Sequence, residues 1–192
     1  MGFKYCLNTS TIRNENTSVM DAIEIAADAG YDGIEPWVKE IDAWVEDGGA
    51  LSDLRDKAAD CGIQIVNLIA FFEWSVPEDD QRSEGLAEAR RCFEMADALD
   101  CNFVAAPPFG IHTREVELLP VAQRYAELVD AVAGFQATPV LEFWGIAKTL
   151  GTLGEALLVA AECGRADTVL LADVYHMYKG SGHFHGLEHL GP

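Results

Sequence analysis

Short apolar runs alternate along this chain with longer segments in which apolar residues recur every three or four positions. The short runs predict β-strands and the longer segments predict amphipathic α-helices. Strands are predicted near Phe3 to Asn8, Gly33 to Trp37, Ile63 to Phe71, Asn102 to Ala106, Pro139 to Trp144 and Thr168 to Asp173. The predicted helices include Ser18 to Ala29, Leu51 to Cys61, Ser83 to Leu99, Val116 to Val132 and Leu153 to Cys163. Such alternation indicates a parallel sheet with right-handed crossovers.

A four-residue motif recurs before several of the predicted strands. Ala-Asp-Ala-Gly at Ala27 to Gly30 returns as Ala-Asp-Cys-Gly at Ala59 to Gly62 and as Ala-Glu-Cys-Gly at Ala161 to Gly164. A looser copy, Ala-Asp-Ala-Leu, occupies Ala96 to Leu99. A glycine at this point is typical of the C-terminal cap of a helix. Each copy therefore predicts the second half of a βα repeat.

Two architectures fit this alternation: an open doubly wound sheet and a (β/α)8 TIM barrel. The glycine fingerprints of nucleotide-binding open sheets are missing from the sequence. Polar and aromatic residues instead lie at or just beyond the C-terminal ends of several predicted strands, as in barrels. These residues are Asn8, Glu35 with Trp37, Asn67, Pro107 with His112, Glu142 with Trp144, and Asp173 with His176. About six βα units can be recognised, so we expect one α/β domain over residues 1–192, a barrel that is C-terminally incomplete.

Composition excludes several classes of function. The chain has 13 Lys and Arg against 32 Asp and Glu, giving a formal net charge of −19, which disfavours nucleic acid as a partner. Its five cysteines are scattered and form no Cys-x-x-Cys pair, so neither a disulfide framework nor a zinc ribbon is indicated. The sequence shows no signal peptide and no apolar run of the ~18 residues needed to span a bilayer. We therefore expect a cytoplasmic protein without membrane contact.

Four segments give the sequence a specific resemblance to a known family. They are Tyr31-Asp32-Gly33-Ile34-Glu35, Ala105-Ala106-Pro107-Pro108, Leu141-Glu142-Phe143-Trp144-Gly145 and the run from Leu171 to Gly180. The chain resembles the sugar phosphate isomerase/epimerase family, the xylose-isomerase-like TIM barrels. In that family a divalent metal is held by a Glu, an Asp, a His and a Glu from the fifth to eighth strands. The resemblance implies Glu142 and Asp173 as the first two of these metal ligands.

The remaining two ligands of the family belong to strands that the sequence pattern does not show. A site of Glu142 and Asp173 alone should bind a divalent ion weakly, and we expect the chain as given to be inactive. His183, His185 and His189 follow in a glycine-rich segment that is poorly suited to hold a ligand rigidly.

The resemblance also implies roles in catalysis and substrate binding. Glu142 is expected to act in proton transfer as well as in metal binding, and His176 matches a histidine that contacts substrate oxygens in related epimerases. The candidate substrate-binding residues are Glu35, Trp37, His112, Trp144, His176 and Lys179.

Structural roles compete with each of these assignments. Glu142 and Asp173 could cap a helix or pair with an arginine, and Glu35 could make only a structural hydrogen bond. His112 could line a site or face solvent, and an exposed Lys179 could have no specific partner. Trp37, Phe71, Phe72 and Trp144 could flank a sugar pocket or simply pack.

The expected function is a metal-dependent isomerase or epimerase of a small sugar or polyol in carbohydrate metabolism. Mn²⁺, Mg²⁺, Co²⁺ or Zn²⁺ would polarise a carbonyl, and removal of the neighbouring C–H proton would give an ene-diolate. The alternatives are a keto-polyol dehydratase with the same metal site and an inactive barrel fragment that acts only as a binding module. The endonuclease branch of the superfamily is disfavoured by five histidines and the acidic charge. A homo-oligomer is compatible with the sequence.

Overall fold

Strands and helices alternate through residues 2–191, which the computed structural model describes. The strands are β1 (Cys6–Asn8), β2 (Gly33–Glu35), β3 (Gln64–Ile65), β4 (Asn67–Leu68), β5 (Phe103–Ala106), β6 (Thr138–Glu142) and β7 (Val169–Leu171). The helices are α1 (Val19–Asp28), α2 (Val38–Glu46), α3 (Leu51–Asp60), α4 (Asp79–Ala98), α5 (Leu118–Val132), α6 (Leu153–Glu162) and α7 (Val174–Ser181). Single 3₁₀ turns occupy Thr9–Thr11 and Leu187–His189.

The residues form two compact units. The first contains Met1–Ala70, Arg91–Val104 and Phe135–Thr138, and the second contains Phe71–Arg90, Ala105–Gly134 and Pro139–Pro192. A single domain over residues 1–192 stays a prediction.

The first unit contains a parallel sheet with the strand order β1-β2-β3. Leu7 aligns with Ile34, and Ile34 aligns with Ile65, so apolar side chains of neighbouring strands lie side by side. Helix α1 packs against α2 and α3. In the same unit β4 pairs in parallel with the start of β5, where Asn67 aligns with Phe103.

The second unit is organised around buried aromatic side chains. The Trp74 Nε1–H donates a hydrogen bond of 2.7 Å to the Pro107 carbonyl, and the Trp74 ring meets the Tyr125 ring edge to face at 5.4 Å. The Tyr125 hydroxyl donates to the Pro139 carbonyl at 3.1 Å, which ties α5 to β6. Strand β6 pairs in parallel with β7, so that Glu142 aligns with Leu171. This network fixes the strand that ends in Glu142.

The recurring motif ends helices as predicted. Gly30, Gly62 and Gly164 follow α1, α3 and α6 with φ values of 82°, 69° and 69°, a left-handed conformation that favours glycine. The loose fourth copy ends α4 without a glycine, and Asp100 adopts φ 53° there. The βα repeat that the motif indicated is confirmed.

Two details of the predicted elements were wrong. The strand predicted from Ile63 to Phe71 is divided at Val66, because β3 pairs with β2 whereas β4 pairs with β5. Helix α4 begins four residues before the predicted Ser83, at Asp79. Helices α2 and α7 lie outside the helix ranges named from the sequence, and each begins directly after its N-cap residue, Trp37 or Asp173. Over residues 2–191, none of the helices is long and apolar enough to cross a membrane.

Candidate metal and substrate site

Glu142 is the last residue of β6 and is only 7% exposed. Its neighbours Leu141 and Phe143 are completely buried. A buried carboxylate requires compensation by hydrogen bonds, by a positive charge or by a metal ion. Glu142 is therefore a candidate for a functional charge at the end of an apolar strand.

Asp173 lies two residues after the end of β7 and forms the N-cap of α7. Its Oδ1 accepts hydrogen bonds from the backbone N–H groups of Tyr175 at 2.7 Å and His176 at 3.2 Å. Its second oxygen, Oδ2, lies 3.9 Å from the His176 Nε2. The capping role is thus real, yet it occupies one oxygen and leaves the other directed toward His176.

His176 lies in the first turn of α7, with its ring between the two carboxylates and the loop after β6. Its Nε2 is 3.8 Å from Oε1 of Glu142. Its Nδ1 accepts a hydrogen bond of 3.3 Å from the Gly145 backbone N–H. In the neutral ring this bond favours the tautomer that carries hydrogen on Nε2. Burial lowers the pKa of His176, and the nearby Asp173 charge acts in the opposite direction.

The potential ligand atoms of Glu142, Asp173 and His176 all lie within 4.8 Å of one another. Two ligands at about 2.0–2.2 Å from one ion are at most ~4.4 Å apart, so small side-chain movements suffice for a shared ion. Carboxylate oxygens and an imidazole nitrogen suit divalent ions such as Mg²⁺, Mn²⁺ and Zn²⁺. The donor set therefore fits a divalent metal, although His176 would have to give up its Nδ1 hydrogen bond to present a free Nε2 lone pair.

Four rings form a closed cycle of contacts beside these three residues. Phe71 contacts Phe109 and Trp144, each at 5.7 Å, and His112 contacts Phe109 at 5.8 Å and Trp144 at 5.6 Å. Trp144 also lies 6.5 Å from the His176 ring. All four residues of this aromatic cycle are half-buried. Trp144 and His112 are thus on a wall that adjoins His176, whereas Phe72 is fully buried and packs in the core.

The His112 ring has an unusual polar environment. Its Nδ1 is buried and has no hydrogen-bond partner among the residues that the structure describes. A buried N–H without an acceptor is costly, so the tautomer with hydrogen on Nε2 is favoured. His112 can therefore present an N–H donor from its other ring nitrogen.

Two of the predicted substrate-binding residues belong to the first unit. The Glu35 carboxylate accepts hydrogen bonds from the side-chain amides of Asn8 at 3.1 Å and Asn67 at 3.2 Å. The Trp37 Nε1–H donates to Oδ1 of Asn8 at 3.1 Å, and the Arg13 guanidinium lies 4.2 Å from the Trp37 ring centroid. These contacts give both residues structural partners, and their role in substrate binding stays a prediction.

Lys179 and the tail histidines, His183, His185 and His189, lie in the second unit. Lys179 is exposed in the last turn of α7. The rings of His183 and His185 are 4.7 Å apart, and both residues are exposed. Among residues 2–191, the tail histidines join no group of three potential metal ligands.

Parallel strands joined by helices, with acidic and imidazole side chains after the last strands, define an α/β protein with a candidate metal site. A sequence profile described as the xylose isomerase-like TIM barrel matches residues 23–189. The chain belongs to this family and has its α/β fold of parallel strands. No curated protein sequence matches the chain.

Solved structures support the same fold. The IolI protein with a bound zinc atom matches with a TM-score of 0.83 and 21% identity over 93% of this chain and 66% of its own. D-psicose 3-epimerase in the presence of D-fructose matches with a TM-score of 0.77 and 18% identity, over 94% and 67%. The probable 3-DHS dehydratase AsbF from Bacillus anthracis matches with a TM-score of 0.76 and 16% identity, over 93% and 65%. The chain thus spans about two thirds of the length of these proteins.

Some features of the site were not identified from the sequence. Phe109 completes the aromatic cycle, but a phenylalanine after Pro107-Pro108 gave no signal that distinguished it from a core residue. The Gly145 N–H contacts a ring nitrogen 31 positions later in the chain, and its only signal was its place directly after the strand-end Glu142-Phe143-Trp144 segment.

Proposed function

We propose that this chain carries the metal and proton-transfer residues of an isomerase or epimerase that acts on a small sugar or polyol. The observation that supports it most directly is the cluster of Glu142, Asp173 and His176, whose potential ligand atoms lie within 4.8 Å of one another. The epimerases among the structural neighbours support this reaction class, since they share the fold.

Glu142 and Oδ2 of Asp173 are the proposed metal ligands. When bound, a divalent ion supplies Lewis acidity that polarises a substrate carbonyl and acidifies the adjacent C–H. The buried Glu142 carboxylate would accept the proton from that carbon. His176 would donate a hydrogen bond from Nε2 to a substrate oxygen, because its Nδ1 is occupied by the Gly145 N–H.

The aromatic cycle is the proposed apolar wall of the pocket. The faces of Trp144 and Phe71 offer contact area for the C–H groups of a sugar, and His112 would donate from Nε2 to a hydroxyl. Lys179, Glu35 and Trp37 are weaker candidates for substrate contacts, since their described partners are structural or their side chains are exposed.

The fate of the proton determines the product. Its return to the opposite face of the same carbon gives an epimer, and its delivery to the adjacent carbon gives an isomer. Loss of a β-hydroxyl group as water instead gives a dehydrated product. The dehydratase alternative is favoured by one observation, the probable 3-DHS dehydratase among the structural neighbours.

Calorimetric titration with Mn²⁺ tests the proposal. Binding at one site should be strongly weakened in Glu142→Gln, while the exposed Glu162 at the end of α6 provides the matched control Glu162→Gln. Equal Mn²⁺ affinity in the parent chain and Glu142→Gln would refute the assignment of the metal site. Where binding is observed, incubation with ketoses in D₂O and analysis of deuterium at each carbon distinguishes epimerisation, isomerisation and dehydration. Absence of any metal binding would favour the binding-module alternative.

A further inference from the structure

The loop between β6 and α6 meets the backbone of α7 at glycine positions. A Cβ atom added to Gly145 would overlap the His176 carbonyl oxygen and lie 2.6 Å from the Gly180 nitrogen. A Cβ atom added to Gly180 would overlap the Gly151 carbonyl oxygen and lie 3.1 Å from the Gly145 Cα. These obstructing atoms belong to the backbone, and the third neighbour of Gly145, the Lys179 Cβ at 2.7 Å, is fixed to the backbone as well, so none can move aside as the end of a flexible side chain can.

Space, and not backbone conformation, is what these positions require. Gly145 and Gly180 are absent from the described glycines that have positive φ. Another amino acid could therefore adopt their backbone angles, but its side chain would push the loop away from the helix.

The face of α7 that meets the loop also carries the candidate site. Asp173, His176, Met177 and Gly180 follow the spacing i, i+3, i+4 and i+7 and so lie on one side of the helix. Met177 is buried. The Gly145 N–H donates to Nδ1 of His176, so one loop residue both contacts the helix backbone and orients the imidazole.

We infer that Gly145 and Gly180 are positioning residues, which hold α7 against the loop so that His176 and Asp173 face Glu142. Without this close contact the helix would move outward, and the Nε2 of His176 would leave its position 3.8 Å from Glu142. The predicted loss of Mn²⁺ affinity rests on the proposed function, whereas the predicted change in the position and tautomer of the His176 ring does not.

The test compares Gly145→Ala and Gly180→Ala with the control Gly154→Ala. An added Cβ at Gly154, in α6, meets nothing closer than 3.9 Å. Ring ¹⁵N shifts report the His176 tautomer, with His176→Gln used for assignment, and calorimetry reports Mn²⁺ affinity. We expect the two contact variants, Gly145→Ala and Gly180→Ala, to lose the ¹⁵N signature of the His176 tautomer with hydrogen on Nε2. They should also bind Mn²⁺ about 10–100-fold more weakly, the range typical of losing a residue that orients a ligand. Gly154→Ala should match the parent chain in both measurements.

The two readouts separate the positioning role from the proposed function. Contact variants that fold and retain both the ring signature and the parent affinity would overturn the inference. If the parent chain binds no Mn²⁺, the proposed function fails, and the ring signature alone decides the positioning role. If the contact variants do not fold, a nuclear Overhauser effect between the Hα protons of Gly145 and Gly180 in the parent chain decides: its presence supports the contact, and its absence overturns it.

Discussion

Asp173 has an observed capping role and a proposed metal-binding role, and a pair of substitutions can distinguish them. Its Oδ1 caps α7, and its Oδ2 is the proposed metal ligand. Asparagine is about as good an N-cap as aspartate, whereas alanine at such a position costs about 1 kcal/mol. In a chain of this size that loss lowers the melting temperature by roughly 2–4 °C. Without metal, Asp173→Asn should melt close to the parent chain, and Asp173→Ala should melt lower.

With metal present, the order of the melting temperatures changes, because Asp173→Asn should no longer melt close to the parent chain. An ion that binds only the folded chain adds about 2.7 kcal/mol of stability at a hundredfold excess over its Kd, which raises the melting temperature by roughly 5–11 °C. Hard cations favour charged oxygen ligands over neutral ones. Both substitutions at Asp173 should therefore lose most of this increase, because both remove the carboxylate charge.

Thermal unfolding followed by circular dichroism, in EDTA and in excess MnCl₂, measures both effects. Asp167→Asn is the control, since Asp167 is exposed and precedes β7. Equal loss of stability in EDTA for Asp173→Asn and Asp173→Ala would contradict the capping argument. A full Mn²⁺-dependent increase in Asp173→Asn would contradict the metal argument.

Three further expectations concern the rest of the chain. Trp74→Phe leaves the buried Pro107 carbonyl without its 2.7 Å hydrogen bond and should lower the free energy of unfolding by about 1–3 kcal/mol. Urea titration measures this loss, and an unchanged urea midpoint would contradict the stabilising role of the bond. Burial raises the pKa of the Cys101 thiol to about 12, so iodoacetamide at pH 8 should label it only after unfolding, as mass spectrometry of peptides can show. The hydrogen-bonded guanidinium of Arg114 lowers the pKa of Glu78 to about 2; the stability from this pair should be present at neutral pH and decline as the pH falls from about 4.5 toward 2. Arg114→Gln should remove that part of the acid dependence of the urea midpoint.

The sequence predicted those features that depend on local chemistry. The glycines of the recurring motif end helices because only glycine enters the left-handed region readily, and the structure shows Gly30, Gly62 and Gly164 there. The family match confirms the parallel α/β fold. The proximity of Glu142 and Asp173 follows from their places at the ends of two paired parallel strands.

Other features depend on contacts that no local pattern encodes. An aspartate after a strand is equally consistent with a helix cap and with a metal ligand, and the sequence could not show that the cap occupies only one oxygen of Asp173. Glu35 accepts its hydrogen bonds from Asn8 and Asn67, which belong to other strands. These bonds could therefore not be predicted from the segment around Glu35. The close approach of Gly145 to Gly180 joins a loop to a helix that follows a full βα unit later. Both glycines end segments that carry the family resemblance, but no local pattern indicates that the two would meet.

All three residues of the candidate metal site come from one contiguous stretch, the β6–α6–β7–α7 segment. Two paired parallel strands need a crossover connection between them, and here that connection contains α6. Glu142 and Asp173 can therefore meet only after the β6–α6–β7 loop has closed, which makes this long-range pairing a slow step of folding. The side chains of the candidate site thus belong to one supersecondary segment, and their proximity depends on one strand pairing and one helix cap.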